Sequence, residues 1–140
     1  HAKFENAREE VKTLLNKINS WKMWVLCDRE PVKNWSNGKM TLLGDAAHPT
    51  LQYLAAGAGM AIEDAVVLAD LLEKNDCTID ETFKQYQEAR YLRTGQVQAM
   101  ARLYGQIYHA SDVVAELRTK MFKDKDPQNY DGIAWLYDGI

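Results

Sequence analysis

The stretch that decides the fold is Met40-Thr-Leu-Leu-Gly-Asp-Ala-Ala-His-Pro-Thr-Leu-Gln-Tyr-Leu-Ala-Ala-Gly-Ala-Gly-Met-Ala-Ile-Glu-Asp-Ala65. Its composition predicts, in order, a short strand at residues 39–43, a Gly-Asp turn, a loop and a helix that begins among small residues. Apolar side chains lie nearly all round the helix expected at Gly57–Lys74, which predicts that this helix is buried on most sides.

The order of elements in this stretch suits a large anionic ligand. Gly44 lets the backbone turn tightly at a strand end, and Asp45 can accept hydrogen bonds from sugar-like hydroxyl groups. The small residues of Ala55–Gly59 would leave the free N–H groups and the positive dipole end of the helix open to the ligand. A plain turn followed by close helix packing explains the same residues, and their pattern alone leaves both interpretations open.

Further elements are predicted on both sides of this stretch. Apolar periodicity and capping residues indicate three more helices, at residues 2–17, at residues 81–110 after a cap at Thr78 or Asp80, and up to Phe122 after a cap at Ser111 or Asp112. Residues 21–27 are aromatic and β-branched enough for a second strand, with a turn signal at Asn37-Gly38. A polar break is expected at residues 124–130 and a short apolar segment at residues 132–137.

The bulk composition excludes several classes of function. With 46% hydrophobic and 26% charged residues, the chain has a globular rather than a disordered composition. Its net charge of −3 provides no basic surface for nucleic acid or anionic lipid, and no apolar run approaches the roughly 20 residues that a membrane span needs. Because Cys27 and Cys77 have no metal-ligand spacing, we expect no metal site and two reduced, buried thiols in a cytoplasmic protein.

The deciding stretch also carries a longer combined pattern. Gly44-Asp45-Ala46-Ala47-His48 is followed, after a loop and a small-residue run, by Glu63-Asp64-Ala65. This combination resembles the second FAD fingerprint of the group A flavoprotein hydroxylases, the salicylate and para-hydroxybenzoate hydroxylase family. Within it, Leu51-Gln52-Tyr53 and the ending Tyr130–Tyr137 are most similar to the 3-hydroxybenzoate 6-hydroxylases, which form gentisate. The resemblance covers essentially the whole chain.

The resemblance implies FAD as the cofactor and gives roles to individual residues. Asp45 is expected to contact the ribityl chain or the pyrophosphate, and the N–H groups of Ala58 and Gly59 to stabilise negative charge at the pyrimidine edge of the flavin. Gln52 is expected to be the catalytic residue that hydrogen-bonds the substrate phenol, with Tyr53 and Leu54 on the same wall. The residues implied in cofactor binding are Gly44, Asp45, Ala55, Gly57, Ala58, Gly59 and Met60.

Two departures from the family pattern are visible. Ala55 stands where many relatives have the first glycine of a Gly-x-Gly run, which alanine tolerates if φ is negative there. The Gly-x-Gly-x-x-Gly turn that holds the ADP half of FAD is not among the 140 residues. We therefore expect the chain to be the C-terminal part of a much longer enzyme, whose missing N-terminal part is its partner, and to bind little FAD and be inactive alone.

The resemblance also implies a fold and an assembly. The expected class is α/β, as part of a para-hydroxybenzoate-hydroxylase-like FAD-binding fold, with this chain mostly helical and about two short strands. Residues 1–43 would end the substrate-domain region, residues 44–75 would carry the second FAD motif and its helix, and residues 76–140 would form C-terminal helices. A homodimer is expected, with Tyr91, Tyr104 and Tyr108 of the long helix as candidate interface residues.

The implied activity is hydroxylation of a small phenolic aromatic acid with O2 and NAD(P)H, with NADH favoured. 3-Hydroxybenzoate is the first substrate candidate, and salicylate or a hydroxynicotinate is the alternative. A different class of function is a non-catalytic helical module for dimerisation. A dinucleotide-binding turn encoded upstream would favour the enzyme over the module.

Other polar and aromatic residues have less demanding interpretations. His48 is expected to brace the loop rather than act as a general base, and Asp64 to bond backbone or a neighbouring helix rather than pair with Glu63 in acid–base chemistry. Residues 28–30 (Asp-Arg-Glu) are interpreted as a local ion pair at a strand end. The tryptophans are interpreted as core or interface residues: Trp21, Trp24, Trp35 and Trp135.

Overall fold

Two helices form the centre of the computed structural model, which describes residues 4–74, 76–126 and 128–138. They are α2 (Gly57–Lys74) and α3 (Ile79–Tyr108), and they pack against each other. The remaining elements are α1 (Glu9–Asn16), β1 (Ser36–Asn37), β2 (Met40–Thr41), α4 (Asp112–Lys123) and α5 (Ala134–Tyr137). Helix α2 has the predicted bounds, and Pro127 of the predicted polar break lies outside the described residues.

Helix α3 begins with a complete capping box. The backbone N–H of Glu81 donates to the Thr78 hydroxyl over 3.4 Å, and the Thr78 N–H donates to the Glu81 carboxylate over 2.9 Å. These bonds satisfy two of the donors that a helix start leaves free. The predicted cap at Thr78 is confirmed. At α4 the cap residue is Ser111, as predicted, but its hydroxyl donates to the Asp112 carboxylate instead of accepting from the helix.

A small antiparallel hairpin precedes the deciding turn. Ser36 pairs with Thr41 and Asn37 with Met40, across a turn in which Gly38 has a φ of +58°. The turn at Asn37-Gly38 is confirmed, but the strand predicted at residues 21–27 is wrong. That segment forms no strand, and Met23 is 91% exposed. A strand needs a neighbour to accept its hydrogen bonds, and the described part of this chain offers residues 21–27 none.

The N-terminal helix is shorter than the predicted residues 2–17, of which residues 2 and 3 lie outside the described part. Helix α1 spans Glu9–Asn16 and contains no buried residue. Leu14, on its apolar face, is 64% exposed. Without a surface to cover, an amphipathic pattern supports only a short helix, because most helix stability in proteins comes from packing.

The core consists of two clusters along α2 and α3. Trp35, Ala47 and Tyr86 form the first, against which Val67, Leu68, Leu71 and Tyr91 pack. Met60, Val97 and Leu136 form the second, with Leu54, Ala56 and Trp135 at its border. Trp35 and Trp135 are thus core residues, whereas Trp21 and Trp24 are largely exposed. The second cluster fastens the C-terminal segment to the start of α2.

Two expectations about burial are wrong. Within α2 only Met60 and Asp64 are buried, and Ile62 is 66% exposed, although the apolar pattern predicts burial on most sides. Cys27 is exposed and Cys77 half-buried, and both thiols are free. Among the described residues, no helix has the length and apolar character to cross a bilayer.

Candidate functional site

The turn after β2 requires a glycine for two reasons. Gly44 has a φ of +59°, and a Cβ added there would lie 3.1 Å from the Cβ of Ala61 on α2. The positive φ and this close approach both disfavour a side chain. The Gly44 carbonyl accepts hydrogen bonds from the N–H groups of Ala47 and His48 over 2.8 and 2.9 Å. The 3₁₀ turn Gly44–Ala46 is therefore seated directly on α2, and the Asp45 side chain is exposed beside it.

Side chains from distant parts of the sequence hold the outer side of this turn. The Arg29 guanidinium donates to the carbonyl oxygens of Ala46 and Ala47 over 2.9 and 2.5 Å. The Gln98 amide, on α3, donates to the carbonyls of Pro49 and Arg29 over 2.9 and 3.1 Å. The polypeptide from the turn to the loop is thus tied to α3 through its own carbonyl groups.

The three charged residues at positions 28–30 do not pair with one another, so the predicted local ion pair is wrong. Asp28 binds Arg102 on α3 over 2.5 Å, and Glu30 contacts the same guanidinium. Arg29 points the opposite way, to the turn carbonyls. Alternate residues of an extended segment face opposite sides, so their partners differ.

A buried carboxylate holds the inner side of the turn. Asp64, which is fully buried, accepts from the Gly44 N–H over 3.1 Å and lies 2.5 Å from His48 Nε2 and 2.7 Å from Arg90 Nε. Burial opposes its negative charge, but hydrogen bonds from His48, Arg90 and the Gly44 N–H outweigh this and hold the pKa of Asp64 below its ordinary value. The predictions that His48 braces the loop and that Asp64 bonds backbone and a neighbouring helix are confirmed.

A second carboxylate extends this network to the C-terminal segment. Glu63 receives two hydrogen bonds from Arg93 over 2.7 Å and lies 2.8 Å from Arg90. Arg93 also donates to the carbonyls of Trp135 and Leu136, over 2.9 and 3.1 Å. The hydrogen bond from Arg93 lowers the pKa of Glu63, against the opposing effect of burial. The negative charges of two carboxylates are therefore compensated by the positive charges of two guanidinium groups between α2 and α3.

The start of α2 is narrow and open to solvent. A Cβ at Gly57 would lie 3.2 Å from the Thr50 methyl group, whereas nothing lies within 4 Å of a Cβ at Gly59. Ala58 and Gly59 are exposed, and the first hydrogen bond of the helix is donated by the N–H of Met60 to the Ala56 carbonyl. The N–H groups of Ala58 and Gly59 precede that bond, so they remain available to an outside acceptor.

Met60 occupies a different environment from its neighbours. Its side chain is 2% exposed in the second core cluster, its N–H is used by Ala56, and its carbonyl accepts from Arg90 over 3.4 Å. The Met60 side chain is therefore a core residue, and its implied role in cofactor binding stays a prediction.

The loop before α2 separates the three residues implied in substrate contact. Gln52 is exposed, and its side-chain amide has no partner among the described residues. The Tyr53 hydroxyl lies 3.1 Å from His109 Nε2, at the end of α3. Leu54 packs at the border of the second core cluster. The structure thus leaves Gln52 free for a ligand and turns Tyr53 and Leu54 largely toward the protein.

The backbone at Ala55 does not have the negative φ at which alanine would be tolerated in place of glycine. Ala55 ends the 3₁₀ turn Gln52–Leu54 with a φ of +52° in the left-handed region. The condition under which alanine is tolerated, a negative φ, is not met, and this alanine occupies a conformation that favours glycine. The relatives' glycine therefore matches the backbone found here.

The residues present fit a flavin nucleotide. The exposed Asp45 carboxylate, with no side-chain partner among the described residues, can accept from ribityl hydroxyls. The N–H groups at Ala58 and Gly59 can donate to an electronegative ring edge, and the space at Gly59 lets a planar group approach the backbone. The donor and acceptor types therefore match both parts of the ligand.

Sequence reasoning missed most of the residues that support this site. Those missed are Arg29, Arg90, Arg93, Gln98, Gly105 and His109. A signal existed for one of them, since Arg90 occupies the same helical stripe as the buried Tyr86 and Thr94. A cation at a stripe position predicts a buried anion nearby.

Comparison with known proteins identifies the family that has this arrangement of turn, loop and open helix start. The chain belongs to the FAD binding domain family, whose profile matches residues 4–101. It is 44% identical, over 137 residues, to 3-hydroxybenzoate 6-hydroxylase 1 of Aquipseudomonas alcaligenes, covering 96% of this chain and 34% of that protein. The chain therefore spans about a third of the length of this curated relative.

Solved structures confirm the fold. A salicylate hydroxylase in complex with its substrate superposes with a TM-score of 0.66 at 31% identity, over 94% of this chain and 34% of that one. Klebsiella pneumoniae HpxO in complex with FAD and uric acid gives a TM-score of 0.70 at 27% identity, over 80% of this chain and 29% of that one. The fold is that of a part of the FAD-binding flavoprotein monooxygenases.

Proposed function

We propose that the protein containing this chain is an FAD-dependent hydroxylase of a phenolic aromatic acid, and that it converts 3-hydroxybenzoate to gentisate. The observation that carries the proposal is the exposed amide of Gln52, which meets no partner in the described part of the chain, in the short loop that leads into the open start of α2. The name of the Aquipseudomonas relative supports this substrate.

The reaction inserts one oxygen atom of O2 into a ring C–H bond and releases the other as water. NAD(P)H supplies the two electrons. When bound, FAD would supply the redox chemistry, which consists of accepting these electrons and activating O2. The polypeptide contributes orientation of the phenol, donors for negative charge and exclusion of water.

Gln52 orients the substrate in this proposal. Its amide carries one acceptor oxygen and two N–H donors, so it can accept a hydrogen bond from the phenol hydroxyl and hold the ring in one orientation. Loss of this contact would reduce the productive population of bound substrate. Tyr53 contributes mainly by supporting Gln52, because its hydroxyl already contacts His109.

The flavin contacts in the proposal come from Gly44, Asp45, Gly57, Ala58 and Gly59. Asp45 accepts from hydroxyl groups of the ribityl chain, and Ala58 and Gly59 donate their N–H groups to the pyrimidine edge. Negative charge that develops on the flavin is then stabilised by the helix start, as in an oxyanion hole. Residues 44–75 form the cofactor-contacting unit in this scheme, between a lead-in at residues 1–43 and supporting helices at residues 76–140.

A second substrate candidate is salicylate, because a salicylate hydroxylase is among the similar solved structures. The two reactions differ in product, since salicylate would give catechol and 3-hydroxybenzoate gives gentisate. Chromatographic identification of the product therefore separates the two candidates without any structural assumption.

The remaining part of the proposal concerns partners. We place the enzyme in the cytoplasm with NADH as reductant, and we infer a homodimer in which α4 takes part. Val113, Val114 and Leu117 on α4 are 66%, 60% and 56% exposed, which leaves an apolar surface on this helix. The isolated chain contains only one half of the flavin site, so it should show little flavin absorbance and no turnover.

The test uses the full-length protein and two variants that carry the same glutamine-to-leucine change at different positions. Gln52→Leu should lower kcat/KM for 3-hydroxybenzoate by about 100-fold, as expected for a lost orienting group. Gln106→Leu, at an exposed position of α3, is the matched control and should leave kcat/KM unchanged. Absence of any hydroxylated product from the wild-type protein, with FAD and NADH present, would refute the proposed function.

A further inference from the structure

One buried network touches three parts of the chain that are distant in sequence. It starts at the Gly44–His48 turn, passes through Asp64 and Glu63 on α2 and Arg90 and Arg93 on α3, and ends at the carbonyls of the C-terminal segment. No buried side-chain nitrogen or oxygen atom in the described part of the chain lacks a partner. Buried polar networks that are fully satisfied fix one arrangement of the groups they join.

Asp64 is the member that reaches the turn itself. One of its carboxylate oxygens, Oδ2, serves both the Gly44 N–H and His48 Nε2, and the other, Oδ1, serves Arg90. Gly44 and His48 bracket Asp45, whose own side chain is exposed. The position of Asp45 is therefore set from both ends by one carboxylate that is itself inaccessible to a ligand.

We propose that Asp64 is a positioning residue of the flavin site, which fixes the Gly44–His48 turn so that Asp45 is presented to the cofactor, with Arg90 as the compensating charge. This proposal rests on the proposed function, because it assumes that the turn receives FAD. Asp64 does not touch the cofactor and acts only through the turn.

The arrangement of charges supports a positioning role over simple stabilisation. A buried ion pair contributes little net stability compared with apolar packing of the same volume, because desolvation opposes it. Its geometry is nevertheless demanding, since each carboxylate oxygen has a defined set of donors. The same two helices already share two apolar clusters, so the network is not required to hold them together.

The network also gives the C-terminal segment a route to the flavin turn. Arg93 holds the carbonyls of Trp135 and Leu136 and both oxygens of Glu63, and Glu63 shares Arg90 with Asp64. A change at Arg93 should therefore affect the turn less than a change at Asp64 does, because three ion pairs lie between Arg93 and Asp64, which itself contacts Gly44.

The test measures FAD affinity and thermal stability separately in the full-length protein. Asp64→Asn keeps the shape but removes the charge, and it should raise the Kd of the apoprotein for FAD about tenfold or more, as expected for bonds to a charged group. Asp70→Asn makes the same change at an exposed position of α2 and should leave the Kd unchanged.

A core variant separates positioning from general loss of stability. Leu71→Ala removes packing from the first core cluster, two helical turns away from Asp64, without touching the network. If Asp64→Asn loses FAD affinity while Leu71→Ala, at an equal or larger drop in apoprotein Tm, keeps it, the positioning role is supported. If both variants lose affinity in proportion to their Tm, the role is overturned.

A second pair of variants decides the matter if Asp64→Asn does not fold. His48→Gln retains a side-chain donor for Asp64, and His48→Leu does not. Weaker FAD binding by His48→Leu, with recovery in His48→Gln, supports the proposal, and equal affinity of wild type and both variants overturns it. A wild-type protein that binds no FAD refutes the proposed function together with this role, whereas FAD binding that Asp64→Asn leaves intact refutes the role alone.

Discussion

The ring of Tyr53 crosses α3 at Gly105, where a Cβ would lie 2.5 Å from the Tyr53 Cε2 atom. The ring also makes edge contacts with Tyr108 and His109, at centroid distances of 6.1 and 5.6 Å. A side chain at position 105 cannot coexist with this ring position. The glycine therefore fixes the residue next to Gln52, at the far end of the helix from its capping box.

Gly105→Ala tests this relationship. The added methyl group should displace the Tyr53 ring and with it Gln52, raising KM for the aromatic acid about tenfold, because small displacements of orienting groups are costly. The overpacked site should also lower the free energy of unfolding by about 1–3 kcal/mol. Gly132→Ala is the control, because nothing lies within 4 Å of a Cβ added at Gly132. An unchanged KM in Gly105→Ala would contradict the dependence of Gln52 on Tyr53.

The left-handed backbone at Ala55 predicts a stabilising substitution. Ala55→Gly should raise the free energy of unfolding by about 1 kcal/mol, since a residue with a Cβ pays roughly that amount in this region. Ala65→Gly, at an exposed position inside α2, should lower it by a similar ~1 kcal/mol because glycine is a poor helix former. Chemical denaturation of both variants provides the comparison, and the same sign in both would show that φ at Ala55 carries no strain.

The carboxylates of the buried network predict the response to acid. The pKa of Glu63 lies below 4.5 in the folded protein because of its hydrogen bond from Arg93, and the pKa of Asp64 lies below 3.8. Their stabilisation is fully present above these ordinary values. As the pH falls below the ordinary pKa values, the unfolded chain binds protons that the folded chain does not yet bind, so stability decreases. The stabilisation is lost once the pH has fallen through the lower pKa values of the folded protein.

Glu63→Gln should reduce the acid-dependent part of the stability. At neutral pH we expect its free energy of unfolding to be about 2 kcal/mol lower than that of the wild type, because Arg93 and Arg90 lose a shared partner. Below pH 4.5 the difference should shrink. Glu73→Gln, an exposed change on the same helix, should show the same dependence of stability on pH as the wild type. Denaturation midpoints measured across the acid range compare the three proteins.

Tyr86 predicts the response to alkali. Burial, and the negative charge of Asp64, raise the pKa of Tyr86 well above its ordinary value of 10.0. Above that pH the unfolded chain releases the phenolic proton while the folded chain retains it, so stability falls as the pH rises. Tyr86→Phe should abolish this fall and should cost about 1 kcal/mol at neutral pH through loss of the bond to the Leu42 carbonyl. Tyr137→Phe, at a residue that is 75% exposed, should retain the wild-type alkaline slope.

Local signals predicted the helices better than the strands. Thr78 and Glu81 lie three residues apart at the start of the helix they cap, so their capping box could be recognised from spacing alone. Residues 21–27 have strand composition, yet strand formation depends on a neighbouring strand that the described chain does not provide. Helix hydrogen bonds are local, whereas a ladder needs a distant partner, and this difference explains the one failed strand.

The candidate site was predictable where its residues are consecutive. Gly44, Asp45 and the start of α2 follow from the deciding stretch, because turn and helix-start chemistry depend on immediate neighbours. Arg29 and Arg90 were not predicted, since their partners lie 17 and 26 residues away. The neighbouring residues in the sequence do not predict which carbonyl or carboxylate a long side chain will contact.

The exposed segment before the hairpin has a practical consequence for handling the isolated chain. Trp24 and Val25 are 72% and 79% exposed, and Met23 and Leu26 beside them are also exposed. A run of this composition pairs readily with copies of itself, and such self-pairing seeds precipitates. We expect the isolated chain to be limited by solubility, and Val25→Lys to keep it dispersed at concentrations where the unaltered chain clouds.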